Sequence, residues 1–87
     1  MCTYITASAA IQGSGKGTSG WFPLSQATIG FDHPVHAPYD HALLLDFADP
    51  KQGPSARVAV EIDLASARAL LTQLESVVRQ AEETGLR

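Results

Sequence analysis

Three histidines, His33, His36 and His41, fall within nine residues of an 87-residue chain whose one cysteine is Cys2. The segment at residues 32–41 reads D-H-P-V-H-A-P-Y-D-H, a spacing of H-x2-H-x4-H. Neutral imidazole is the commonest protein ligand for zinc, copper, nickel and iron, and a thiolate would add a soft donor. Pro34 and Pro38 exclude a helix here, so the histidines ride on an extended or turning loop. Other uses of the same residues compete with metal binding. Histidine beside proline and aspartate can fix a turn through side-chain to backbone hydrogen bonds. A lone cysteine is either a small buried hydrophobe or, beside a histidine or a helix N-terminus, a nucleophile. Neither C-x2-C nor H-E-x-x-H occurs, so a metal site depends on the fold bringing these residues together.

The elements that would do so are legible in the hydrophobic pattern. Over residues 3–11, Ile5, Ala7, Ala9 and Ile11 alternate with polar residues, the period-two signature of a half-buried strand. Ala27, Ile29 and Phe31 repeat the pattern, as do Leu43, Leu45 and Phe47, then Val58, Val60 and Ile62. After Ile62 the period lengthens: Ala67, Leu70, Leu71, Leu74, Val77, Val78 and Ala81 recur at three and four and line one helix face. Asp63 is a fitting N-cap, Gly85 a fitting stop, and Glu75 and Arg79 are spaced for an i, i+4 ion pair.

The predicted architecture is a single α+β domain over residues 1–87, β-β-β-β-α, a four-stranded antiparallel meander followed by one C-terminal helix packed on the sheet. In a meander, strand one begins where strands two and four end. Cys2, His33, His36, His41 and the helix start at Asp63 are thus predicted to gather at one end of the sheet. That gathering could hold a divalent transition metal (zinc, copper, nickel or iron) with an open position, or an anion at the helix start. The opposite sheet face would carry Thr6, Ser8, Thr28, Asp46, Arg57 and Glu61, either solvated or paired with a symmetry mate.

Composition limits the alternatives. A net charge of −3, with two lysines and four arginines dispersed, leaves no footprint for nucleic acid. One cysteine cannot staple a secreted scaffold, no apolar run is long enough to span a bilayer, and residues 1–10 lack a signal-peptide pattern. A cytoplasmic protein without membrane contact is expected. G-S-G-K-G-T at residues 13–18 is similar to the end of a phosphate-binding loop, but Ala10 stands where its first glycine belongs and G-W-F-P cannot open a helix. It reads as a flexible loop, with no nucleotide cofactor. Trp21, Phe22, Pro23 and Leu24 form the densest aromatic run, expected in the core or at a subunit contact.

The stretches M-C-T-Y-I-T, G-W-F-P-L, F-D-H-P-V-H-A-P and G-P-S-A-R-V-A-V-E together resemble a family of short, single-domain bacterial proteins of unknown function, best represented in high-GC Gram-positive species. The resemblance spans nearly the whole chain and implies a small cytoplasmic protein. It supplies no catalytic residues, so whether the chain is an enzyme stays open.

Thirteen of the apolar residues are alanine. So small a domain with so few bulky side chains needs a metal or association for stability. Three functions are therefore carried forward: a metal-binding protein using Cys2, His33, His36 and His41; a non-catalytic homo-oligomerising or protein-interaction module; and a small-molecule-binding accessory subunit, with an apolar pocket between sheet and helix and the histidines at its mouth.

Overall fold

Side chains on paired residues of neighbouring strands share a face, and the register turns the sequence alternation into two surfaces. The computed structural model describes residues 5–87 and contains strands β1 (Ile5–Gly17), β2 (Gly20–Asp32), β3 (Ala42–Ala48) and β4 (Arg57–Ile62) and helix α1 (Leu64–Thr84). The strands form one antiparallel sheet in the order β1-β2-β3-β4, the expected meander. Ile5, Phe31, Leu43 and Ile62 form one apolar row across it, and Ala7, Ile29, Leu45 and Val60 form the next. On the reverse face Thr6, Gly30, Leu44 and Glu61 are aligned.

The first two strands are longer than their alternation suggests. Residues 13–17, read as a flexible loop, belong to β1, and Gly17 pairs with Gly20 across a two-residue turn. Thr18 and Ser19 keep negative φ, so the left-handed step falls on Gly20 at φ 114°. Glycine and serine carry little strand signal of their own, but backbone pairing with residues 20–24 holds them extended. The register shifts by one residue between Ala10 and Gly13, a bulge that bends the hairpin. Its arm brings β1 near β4.

That approach explains Gly15, which is buried. A Cβ there would lie 3.0 Å from Leu24 Cδ1 and 3.3 Å from Val58 Cγ2. Gly15→Val is expected to lower unfolding free energy by about 1–3 kcal/mol through overpacking, read by urea denaturation. An unchanged midpoint would show that the arm can move aside.

Phe22 and Leu24 are half-buried whereas Trp21 is 70% exposed, because a strand sends successive side chains to opposite sides. Trp21 is therefore outside the core, one of the two places expected for it.

α1 begins directly after β4. The Asp63 carboxylate accepts from the Ser66 amide at 2.8 Å, and Gly85 closes the helix at φ 72°. Hydrogen bonding from Ser66 holds the Asp63 carboxyl below the usual range. The helix meets the sheet near its start, where Ala67 is buried. Beyond that turn its apolar stripe is uncovered: Leu70, Leu71, Leu74, Val77 and Val78 are all exposed, Leu74 at 57% and Val77 at 60%.

The interior is correspondingly thin. Its buried apolar residues are Ala27, Ala42, Ala56 and Ala67, and among the described residues no large side chain is fully enclosed. The accessible surface of 6925 Å² exceeds by about 2,000 Å² the value of about 4,900 Å² typical of a compact chain of this mass. A radius of gyration of 14.6 Å, against about 12 Å for a compact chain of this length, agrees.

Candidate functional site

The β2–β3 connection carries all three histidines and crosses the same end of the sheet as the start of α1, as the meander requires. Phe31 and Leu43 form the last apolar row before it, and the loop is tied down on both faces.

On the apolar side, the Phe31 and His41 rings stack with centroids 5.5 Å apart, and His41 lies 4.6 Å from the His33 ring. The His33 amide donates to Asp32 Oδ1 at 2.7 Å, and His33 Nδ1 lies 2.8 Å from the Asp40 carbonyl oxygen. A carbonyl only accepts, so Nδ1 carries the proton and donates, which leaves the Nε2 lone pair of neutral His33 unused.

On the other side, the Glu61 carboxylate gathers three successive backbone amides. Val35 donates to Oε2 at 2.6 Å, and Ala37 and His36 donate to Oε1 at 2.8 and 3.0 Å. The amides of Ala37 and then Val35 do most to hold the Glu61 carboxyl below its usual pKa, outweighing the opposing effect of desolvation. Glu61 thus fastens the loop to β4 across 24 or more residues of chain. This role was not foreseen; an acidic residue alternating outward on a strand gives no sign that a distant loop will present three amides to it.

The structure therefore brings His33 and His41 together, while the His36 amide belongs to the Glu61 cradle. Cys2 lies outside the described residues. Among the described residues, no three His, Cys, Asp or Glu side chains converge in a way that could hold a metal ion.

On this face Asp46 and Arg57 pair with each other. Arg57 Nε donates to Asp46 Oδ2 at 2.6 Å, an ion pair exposed enough to contribute about 0–1 kcal/mol. Among the described residues, Asp46 Oδ1 is enclosed without a hydrogen-bond donor. Asp46, Arg57 and Glu61 were candidates for pairing across a subunit contact, but Arg57 and Glu61 already have partners in the same chain.

A shallow hollow of about 210 Å³ lies on this face between Thr6, Thr28, Asp46, Arg57 and Glu61, under Val35. A second, of about 360 Å³, is lined by Ser8, Gln26, Pro50 and Lys51 among others. Neither touches α1 or a histidine, so neither is the sheet-to-helix pocket expected of an accessory subunit. Asp49, the buried carboxylate of the β3–β4 connection, is a turn-fixing group. It accepts from Gln52 Nε2 at 2.6 Å and from the Lys51 amide and Ser25 hydroxyl, each at 3.3 Å. Among the described residues, no helix is long and apolar enough to cross a membrane.

Among the described residues, the apolar stripe of α1 is exposed, as are Ile5, Ile29 and Val60 of the apolar sheet face, and His33 and His41 sit together beside Phe31. Comparison with curated proteins and with solved structures gives no significant match. Over residues 1–87 the chain matches the model of a family of unknown function, DUF6295, and it belongs to that family.

Proposed function

We propose that this protein is a non-catalytic self-associating module whose copies join through α1. The observation that carries the reading is the exposed stripe Leu70, Leu71, Leu74, Val77 and Val78 on a well-capped helix. A helix of 21 residues derives most of its stability from burying an apolar face, and this one buries only Ala67. The excess surface supports the same reading. About 2,000 Å² per chain, or about 4,000 Å² per pair, lies within the range of about 2,000–5,000 Å² that obligate homodimers bury. The charged sheet face is a poorer candidate, since Arg57 and Glu61 are satisfied at home.

Size-exclusion chromatography with light scattering tests this directly. A mass of at least twice 9.2 kDa at micromolar concentration is expected, and a stable monomer there would overturn the reading.

A second reading, divalent-metal binding, is favoured by one observation. Donation of Nδ1–H to a backbone carbonyl is the arrangement that metal-ligating histidines use to orient Nε2. His33 and His41 would supply two ligands, with Cys2 and His36 as further candidates. Untagged protein titrated with Zn²⁺ should then take up stoichiometric metal and lose that uptake on His33→Ala. No uptake by the wild-type chain would end this reading.

A further inference from the structure

We infer that the occupant of the α1 stripe is α1 of a second copy running antiparallel to it about a two-fold axis near Leu74. The inference rests on the self-association reading and adds its geometry. The stripe is palindromic in position and character: Ala67 mirrors Ala81, Leu70 mirrors Val78, Leu71 mirrors Val77, and Leu74 mirrors itself. A two-fold contact needs a self-complementary patch, and two antiparallel copies of this pattern set each bulky residue against another.

Charge and shape select the direction. Arg68, Glu75 and Glu82 recur every seven residues along one flank of the stripe, and the other flank carries Ser66, Gln73 and Gln80. Antiparallel packing faces like flanks. It sets Arg68 within about 3 Å, along the axis, of the partner's Glu82 and repeats that contact at the other end, with only the central Glu75 pair opposed. Parallel packing would set the charged flank against the amides and satisfy neither Arg68 nor Glu82. Antiparallel packing also puts the two sheets at opposite ends of the paired helices, whereas parallel packing would crowd both at the start of α1, where Ala67 already meets its own sheet. The bare second half of each helix then covers the first half of the other.

Two measurements on the full chain test the arrangement. Arg68→Glu is expected to weaken dimerisation about fivefold to thirtyfold, and Glu82→Arg similarly, while Arg68→Glu with Glu82→Arg restores it. Spin labels at Glu83→Cys, in a Cys2→Ser background, should lie about 30 Å apart in the antiparallel pair. A dimer with labels closer than about 20 Å, or one indifferent to the charge swap, overturns antiparallel pairing and leaves self-association standing. A monomer overturns both.

Discussion

Leu74→Glu is expected to convert the proposed dimer into a monomer of unchanged helix content. Leu74 sits at the centre of the stripe and is 57% exposed in the single chain, so association would take most of its side chain out of water. In the proposed two-fold contact each substitution acts twice. Leu74→Ala removes three carbons per copy, about 2.4 kcal/mol at about 0.8 kcal/mol per buried carbon, and so about 5 kcal/mol per dimer. That corresponds to a rise in Kd of roughly a thousandfold. Glutamate adds the cost of placing two carboxylates face to face in an apolar seam. Alanine and glutamate are both good helix formers, so circular dichroism should change little, which separates lost association from lost folding. Thr72→Glu, on the opposite side of α1, is the control and should leave the mass unchanged. A Leu74→Glu protein of wild-type mass would show that the stripe is not the contact.

Glu61→Gln is expected to release the histidine loop while the sheet stays folded. The carboxylate is an acceptor that Val35, His36 and Ala37 share, and its negative charge strengthens all three hydrogen bonds. A neutral amide has one accepting oxygen instead of two. Hydrogen-exchange protection of those three amides should fall at least about tenfold in Glu61→Gln, with the β3 amides unaffected. The same contact predicts an acid transition of definite sign. The pKa of Glu61 is lowered in the folded chain, so the charged form is favoured by folding. Its stabilising effect is fully present above the ordinary glutamate pKa and is lost as pH falls through the lower folded value. The Val35, His36 and Ala37 amide resonances should therefore shift together as pH falls below the ordinary glutamate range in the wild type and show no such transition in Glu61→Gln. Loop amides that stay fixed in Glu61→Gln at neutral pH would show that the Phe31, His41 and His33 stack alone holds the loop.

Alternation of apolar residues was enough to assign the four strands and which residues share their apolar face. Ile5, Phe31, Leu43 and Ile62 do form one row, because a strand period of two leaves each residue a single choice of side. The change to spacings of three and four, framed by Asp63 and Gly85, likewise determined α1 and both its ends, since capping is a local matter of orphan amides and a left-handed residue. The meander placed the histidine loop and the helix start together, because antiparallel connectivity fixes which ends coincide. Residues 13–17 were not legible as strand, because glycine and serine have no intrinsic preference for it and only pairing with the following strand holds them extended. Tertiary structure alone decided that Glu61 receives three amides from a loop 24 or more residues away, that His33 and His41 pair while the His36 amide joins the Glu61 cradle, and that α1 leaves its stripe bare. Hydrophobic periodicity states which face a helix must bury. It does not state what covers that face, and here the described residues of the chain bury α1 only at Ala67, because the helix leaves the sheet after its first turn.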